Sequence, residues 1–284
     1  MACKPHPYSG LKASLLTQHG KEAVICPELQ KMSACEVVHI ADFDTDQLGA
    51  FSREVPRYGS QLDAARKKAR IGMDRSGLSI GIASEGAFGK DPYLGQLAWN
   101  YEIVVLLDDI RGIEIIGHSN AGAQNVTKPV SSWDELNALL GKVQFPSHYL
   151  TLRPNDPDHP EYRKGIDRIS LLKESYDWAR GLSRSGIVFV ENDLRAHANP
   201  TRMTAILQAT QQLAQKMNSV CPACASPGFW ITETKRGLPC SLCSAPTHVA
   251  MATIWSCLQC DHQDEALIPD RATADPSKCA YCNP

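Results

Sequence analysis

Residues 101–119, YEIVVLLDDIRGIEIIGHS, decide the fold class of this 284-residue chain. Two runs rich in β-forming residues flank Asp-Asp-Ile-Arg-Gly, a polar segment that ends in glycine. Apolar runs joined by a few turn-forming residues are typical of a β-hairpin. The stretch is therefore predicted to form two consecutive strands of one sheet.

Strand and helix patterns alternate on both sides of this hairpin. Before it, strands are predicted at 13–16, within 35–46 and from 78, with helices that begin near Lys21 and span 59–77. After it, helices are predicted at 131–143, at Ile169–Leu182 and from Pro200, where Asn199 is the expected cap, and a strand at Ile187–Glu191. This order predicts an α/β fold: a mixed-sheet core with flanking helices. We place this domain at 1–218, followed by a small C-terminal double zinc-ribbon module at 219–284.

Charge and hydropathy exclude several classes of protein. Lys and Arg total 29 against 31 for Asp and Glu, so the overall charge does not favour binding to nucleic acid or to an anionic membrane. No run reaches the roughly 18–20 apolar residues of a membrane span. The N-terminus lacks the core of a signal peptide, and the expected location is the cytoplasm.

Eight of the eleven cysteines form four Cys-x-x-Cys pairs in the last quarter of the chain. Two residues between cysteines let both thiolates reach one ion, and four thiolates complete a closed tetrahedral zinc site. The sequence predicts two structural zinc ions, with sequential pairing of the motifs favoured over a cross-braced arrangement. The predicted ligands are Cys221, Cys224, Cys240, Cys243, Cys257, Cys260, Cys279 and Cys282.

The zinc module has two interpretations. Either it binds a partner, or the zinc ions replace a hydrophobic core that is too small to form unaided. From residue 219 onward the chain carries few basic residues and more acidic ones, so nucleic acid is a less favoured partner than protein.

Three segments of the α/β part carry candidate site residues. In TQHGKE (17–22), His19 and Lys21 are expected beside the start of a helix, a place suited to an anion. In ADFDTD (41–46), the aspartates alternate, and such closely spaced like charges, which include Asp44, repel unless a cation or basic residues neutralise them. Either a magnesium ion that also binds phosphate lies here, or the segment is a solvated turn. In GIASEGAFG (81–89), a strand is expected to end in a glycine-rich loop where Glu85 acts as base or metal ligand.

The segment ENDLRAHANPTRM (191–203) has two interpretations of its own. Its Arg195, His197 and Arg202 form the wall of an anion site, or the segment is a salt-bridged hinge that fixes the zinc module. Together these segments predict Glu85, Asp44 and Lys21 as catalytic residues. The predicted phosphate-binding residues are His19, Lys21, Ser84, Gly86, Arg57, Arg195, His197 and Arg202.

Two resemblances rest on these motifs. HGKE, DTDQLGAFSREVPR, SEGAFG, FPSH, ENDLRAHANPTRM and the paired Cys-x-x-Cys tail resemble an uncharacterised bacterial domain-of-unknown-function family. Residues 12–120 resemble inosine/xanthosine triphosphate pyrophosphatases, which implies that Lys21 touches phosphate and Glu85 helps to hold magnesium. The chain departs from that pattern, since His19 stands at an asparagine position and Ser-Glu-Gly replaces a paired-aspartate signature.

These features favour a metal-dependent hydrolase of a nucleotide or other phosphorylated small molecule, with two structural zinc ions and magnesium as an additional cofactor. A transferase that uses the same phosphate site is another option. The alternative from a different class is a noncatalytic zinc-ribbon adaptor that binds protein or nucleic acid.

Overall fold

A computed structural model describes residues 6–48, 59–269 and 272–284. The first part of the chain builds one five-stranded sheet with the order β2-β1-β3-β4-β5, in which β1 runs parallel to β2 and β3 while β3, β4 and β5 are antiparallel. The predicted mixed sheet and hairpin are confirmed. Its elements are β1 (Lys12–Leu16), α1 (Glu22–Ser33), β2 (Glu36–Ile40), α2 (Gln61–Ser76), β3 (Ile80–Lys90), β4 (Ala98–Asp108) and β5 (Ile113–Gly122).

The segment SEGAFG is part of a strand, so the predicted glycine-rich loop is wrong. β3 pairs with β4 along its whole length, from Ile80 opposite Asp108 to Lys90 opposite Ala98. Gly86 is needed here for space rather than for a turn, because a Cβ at this position would overlap the Glu102 carboxylate. Glycine inside a strand commonly marks such a close approach.

The middle of the chain forms a second, fully antiparallel sheet with the order β6-β9-β7-β8. One face packs against two helices through a cluster that includes Leu150, Leu152, Val188 and Val190. Part of this sheet arises from the Pro- and Asp-rich segment 153–165. Its elements are β6 (Thr127–Val130), α3 (Trp133–Leu139), β7 (Leu150–Pro154), β8 (Arg163–Ile166), α4 (Ile169–Leu182) and β9 (Val188–Asn192).

Helix α5 (Pro200–Asn218) connects the second sheet to the first. The Asn199 side chain accepts a hydrogen bond from the Arg202 backbone N–H at 3.0 Å, which confirms the predicted cap. Ile206 and Leu213 pack with Ile82 and Leu106 in the largest hydrophobic cluster. The opposite face of the sheet is covered by α2, and α5 ends just before Cys221.

The C-terminal segment is an antiparallel three-stranded meander of β10 (Trp230–Arg236), β11 (Ala250–Ser256) and β12 (Gln263–Leu267). The cysteine pairs lie before, between and after these strands. Among the described residues, no helix is both long and apolar enough to traverse a bilayer.

Candidate functional site

Eight cysteines gather into two groups that can each hold a metal ion. Within each group the ligand atoms all lie within 4.8 Å of one another. A zinc–sulfur distance of about 2.3 Å in a tetrahedron separates neighbouring sulfurs by about 3.8 Å. The Sγ–Sγ distances of 3.9 Å for Cys221–Cys260 and 3.6 Å for Cys243–Cys279 agree with this geometry. The groups are Cys221, Cys224, Cys257 and Cys260, and Cys240, Cys243, Cys279 and Cys282.

The grouping is cross-braced, so the sequential pairing that the sequence favours is wrong. The reason is the strand meander. β10 carries the chain away from Cys221–Cys224 to Cys240–Cys243, β11 returns it to Cys257–Cys260, and β12 leads out again. A seven-residue strand spans roughly 23 Å, which is too far for consecutive pairs to share one ion. Alternate pairs therefore meet at the same end of the sheet.

Buried polar side chains gather where β1 ends beside β3. β1 pairs with β3 only at Ser14–Gly81 and Leu15–Ile82, after which the chain turns through His19 and Gly20, both with positive φ. Lys21 then points back to the sheet, and its Nζ donates a hydrogen bond to the Ser84 carbonyl at 3.2 Å. The lysine thus occupies the edge of β3 that β1 leaves open.

Lys21 is almost completely buried, with 5% exposure. Burial and the nearby Arg202 guanidinium lower the pKa of Lys21 to about 7, although the carboxylates of Glu85 and Glu102 act to raise it. Near neutral pH, this amine therefore changes its charge readily in response to a neighbouring anion.

The substitution Lys21→Met is expected to flatten the rise of stability with pH. The folded-state pKa of about 7 lies below the unfolded value of 10.5, so between these values the unfolded chain binds more protons. The free energy of unfolding then rises with pH, by up to about 1.4 kcal/mol per pH unit. Methionine removes this contribution.

Urea unfolding of both proteins at several pH values across that window measures the slope. Lys31→Met, at an exposed position in the last turn of the helix α1 that begins directly after Lys21, is the matched control and should keep the wild-type slope. Equal slopes for wild type and Lys21→Met would contradict the assignment.

Glu85 lies beside Lys21 on the face of β3 that α2 covers. Its Oε2 is 3.1 Å from Lys68 Nζ, and both side chains are less than a tenth exposed. Gln61 donates hydrogen bonds to the Glu85 and Tyr101 carbonyls, each at 2.8 Å, which fixes the start of α2 against β3 and β4.

Glu102 and Arg202 form a second buried ion pair across the sheet from Glu85. Arg202 Nε lies 2.7 Å from Glu102 Oε1, and their side chains are 2% and 0% exposed. Arg202 Nη1 also donates to the Leu194 carbonyl at 2.5 Å. We refer to Lys21, Lys68, Glu85, Glu102 and Arg202 together as the ionic cluster.

The structure places two predicted histidines side by side. The ring centroids of His19 and His197 are 5.5 Å apart, so the 17–22 turn contacts the 191–203 segment. Burial lowers the pKa of His197, and the nearby Arg195 and His19 act in the same direction. Asp44 is exposed in the loop after β2, whereas Arg57 lies outside the described residues. In that loop, Asp42 forms an ion pair with Arg75 at 2.7 Å.

Arg195 binds a carboxylate of its own segment rather than the ionic cluster. Its Nη2 lies 2.5 Å from Asp193 Oδ2. Burial alone would raise the pKa of Asp193, but hydrogen bonds from Arg195 and Gly165 lower it. Asp193, Leu194 and Arg195 line a cavity of about 380 Å³ next to Ala87.

Of the predicted site residues, Lys21, Ser84, Glu85, Gly86 and Arg202 come together at the ionic cluster. The sequence predictions missed Lys68. Its signal is its place on the apolar face of α2, between the buried Ala65 and Ala69, where a lysine requires a buried partner.

The fold and the cysteine groups define a mixed α/β protein with a C-terminal module that has two four-cysteine sites. Residues 68–284, more than half of the chain, match the family model of a domain of unknown function, DUF6671. The chain therefore belongs to that family. No curated protein matches it. The match includes Lys68, Glu85 and Arg202 but begins after Lys21 and Asp44.

Proposed function

We propose that the protein hydrolyses a nucleotide or another phosphorylated small molecule at the ionic cluster. The observation that carries this proposal is a group of five buried charged side chains: the cations Lys21, Lys68 and Arg202 and the carboxylates Glu85 and Glu102. Buried charge is costly unless it is compensated. A phosphate oxygen would form charge-assisted hydrogen bonds with the Lys21 amine and the Arg202 guanidinium.

The position in the fold supports a ligand site. In open α/β sheets, ligands bind outside the carboxyl ends of parallel strands. The carboxyl end of β1 leads directly into the His19–Lys21 turn, and the loop that holds Asp44 follows the parallel strand β2. Thr45 of this loop donates its backbone N–H to Gln18 Oε1 at 3.3 Å, so the loop borders the same turn.

In the proposed reaction, Lys21 and Arg202 neutralise phosphate oxygens as charge develops on them. Glu85, oriented by Lys68 at 3.1 Å, accepts a proton from the water whose oxygen attacks phosphorus. The P–O bond to the leaving group breaks as the new P–O bond forms, and the leaving oxygen keeps the electron pair and takes a proton from solvent. The turn at His19 and Gly20, in which both residues have positive φ, lets backbone approach the ligand. We assign His19, Ser84, Gly86 and His197 to the walls of the phosphate site, whereas Arg195 is engaged by Asp193.

Magnesium receives no step in this mechanism. Both buried carboxylates are engaged by a cation, Glu85 by Lys68 and Glu102 by Arg202. Within 6–48, 59–269 and 272–284, groups of three or more potential metal ligands occur at the cysteine sites alone. These residues do not fit a protein-built magnesium site, although the resemblance to inosine/xanthosine triphosphate pyrophosphatases implies that ion.

A panel of nucleoside triphosphates and sugar phosphates, incubated with the zinc-loaded full chain, tests the proposal. We expect release of phosphate or pyrophosphate from at least one compound, and a loss of roughly 10²-fold or more for Lys21→Met or Glu85→Gln. Lys31→Met, in the helix α1 that begins directly after Lys21, should keep full activity. The absence of turnover on the whole panel, with and without added magnesium, would exclude the proposal.

The zinc module supports a second candidate, the noncatalytic adaptor. Leu242 and Tyr281 each lie between two cysteines of the same zinc group and are 74% and 78% exposed, and Leu267 is 74% exposed as well. Exposed apolar side chains on a zinc-stabilised module are suited to contact protein. We take this module as a separate domain, 219–284, that follows the α/β domain 1–218. A pull-down partner that is retained by Leu242→Ser/Tyr281→Ser would argue against this role.

A further inference from the structure

The two zinc groups begin with the same backbone turn. We call Cys221, Cys224, Cys257 and Cys260 the first zinc group, and Cys240, Cys243, Cys279 and Cys282 the second zinc group. The Cys221 N–H donates to the Ser226 carbonyl at 2.8 Å, and the Cys240 N–H donates to the Ala245 carbonyl at 2.9 Å. In both turns the residue after the second cysteine has a positive φ, 61° in one and 62° in the other. The two turns therefore correspond residue by residue.

The surroundings of the two turns differ. Phe229 and His248 occupy equivalent positions relative to the first cysteine of each turn. Phe229 is only 8% exposed, whereas His248 is exposed to solvent. The equivalent prolines differ in the same way, because Pro227 is buried and Pro246 is exposed. A turn that served only to hold zinc would be exposed to the same extent in both groups, so the first turn has an additional packing partner.

That partner is the end of helix α5. The Gly228 N–H donates to the Lys216 carbonyl at 3.0 Å and to the Ser219 carbonyl at 2.9 Å. Ser219 Oγ donates to the Phe229 carbonyl at 2.6 Å. Carbonyl groups in the last turn of a helix lack partners within the helix and need donors from elsewhere. The first turn therefore completes the C-terminal cap of α5.

The other Cys-x-x-Cys pair of the first zinc group reaches the same place. A Cβ at Gly228 would lie 2.5 Å from Leu258 Cδ1 and 3.4 Å from Ile115 Cδ1. Leu258 lies between Cys257 and Cys260, and Ile115 belongs to the core of the first sheet. Both side chains pack on the backbone of Gly228, which joins the metal site to the core of the α/β domain.

Lys216 adds a polar contact between the two parts of the chain. Its Nζ donates to the Ile116 carbonyl of β5 at 2.6 Å. The same Nζ lies 5.8 Å from the centroid of the Trp230 ring, at the start of β10. One side chain of α5 thus contacts both the first sheet and the first strand of the zinc module.

The second zinc group has its contacts within the zinc module. Among residues 237–269 and 272–284, the backbone hydrogen bonds that surround this group join residues of these same ranges. For example, the Ser241 N–H donates to the Ala274 carbonyl, and the Ala274 N–H donates to the Pro239 carbonyl. The seven-residue strands β10 and β11 separate this group from the first one by roughly 23 Å.

We propose that the first zinc group docks the zinc module onto the α/β domain when it holds its ion, whereas the second zinc group stabilises only the far end of the module. Metal binding and folding are coupled at such sites. When the first group is empty, its two Cys-x-x-Cys turns are no longer held together, and the cap of α5 and the packing of Leu258 on Gly228 are lost together. The inference concerns the metal sites and does not depend on the proposed hydrolase activity.

Two matched double variants of the full chain test the proposal. Cys224→Ser/Cys260→Ser empties the first group and Cys243→Ser/Cys282→Ser the second, at equivalent positions with equivalent exposure, and elemental analysis should find one zinc ion in each. Hydrogen exchange followed by mass spectrometry measures the docking. In the first variant we expect peptides from the end of α5 and from 113–116 to exchange at least about tenfold faster than in the wild type. In the second variant these peptides should stay within about twofold of the wild type.

A variant on the α/β side tests the same coupling in the other direction, because a coupling free energy acts equally on both partners. Lys216→Met should weaken one zinc ion at least about tenfold in competition with a chelator and leave the other unchanged. Lys235→Met, exposed on β10 and paired with Glu265, is the matched control and should leave both ions unchanged.

Three results would overturn the inference. The first is equal exchange of the α5 peptides in the two double variants. The second is exchange in Cys224→Ser/Cys260→Ser that rises as much in α2, on the opposite face of the sheet, as it does in α5, since this would indicate general unfolding. The third is a Lys216→Met variant that weakens both zinc ions equally or neither of them.

Discussion

Replacing Cys221 and Cys257 together with serine is expected to leave one zinc ion bound per chain, whereas replacing Cys221 and Cys240 leaves none. The first two cysteines belong to the same group, while Cys240 belongs to the other. Sequential pairing predicts the reverse. The two double variants therefore distinguish the cross-braced arrangement by stoichiometry alone.

Elemental analysis of the dialysed full chain measures this stoichiometry. The apparent binding free energy of a structural zinc site is on the order of 10–16 kcal/mol, so the loss of one ion also lowers the stability of the module by a large amount. Cys26→Ser is the control, because Cys26 lies on α1 outside both groups and should keep two ions. One ion in Cys221→Ser/Cys240→Ser and none in Cys221→Ser/Cys257→Ser would refute the cross-braced grouping.

The substitution Arg202→Met is expected to destabilise the fold by about 3–5 kcal/mol, because it leaves a buried charge uncompensated. Glu102 is fully buried, and its Oε1 accepts from Arg202 Nε at 2.7 Å. The Leu194 carbonyl loses its donor as well. Urea unfolding monitored by circular dichroism gives the change in free energy.

Two comparisons show whether the cost comes from buried charge. Arg70→Met breaks an ion pair with Asp109 in which both side chains are about half exposed, and it should cost no more than about 1 kcal/mol. Arg202→Met/Glu102→Leu removes both charges and should recover part of the stability lost in Arg202→Met. A double variant no more stable than the single one would show that lost packing, rather than the unpaired carboxylate, causes the effect.

Sequence reasoning succeeded where the deciding interactions are local. The hairpin at 101–119, helix α4 and the Asn199 cap depend on residues a few positions apart, and all three are confirmed. The prediction of a loop at the glycine-rich SEGAFG was wrong because the need for glycine there comes from a residue that is distant in the sequence. Gly86 makes room for Glu102 on the neighbouring strand, and glycine composition alone does not distinguish that from a turn.

The candidate site depends on contacts over long sequence separations. Lys68 and Glu85 are 17 positions apart, and Glu102 and Arg202 are 100 positions apart. The motifs indicated Lys21, Glu85 and Arg202, but they did not indicate which charges neutralise one another. That depends on the face of β3 or β4 from which each side chain projects, and strand register determines the face.

The sequence by itself determined that this chain has a mixed α/β core and eight cysteines with the spacing of zinc ligands, because periodicity, caps and Cys-x-x-Cys spacing are properties of short segments. Only the tertiary structure decided how those pieces combine. Antiparallel strands bring alternate cysteine pairs to the same end of the meander, so the zinc groups are interleaved. Residues from the end of β3 and from the second sheet, which are distant in the sequence, line the same cavity. Both outcomes depend on which strands become neighbours in the folded chain. The spacing of residues along the chain does not specify this.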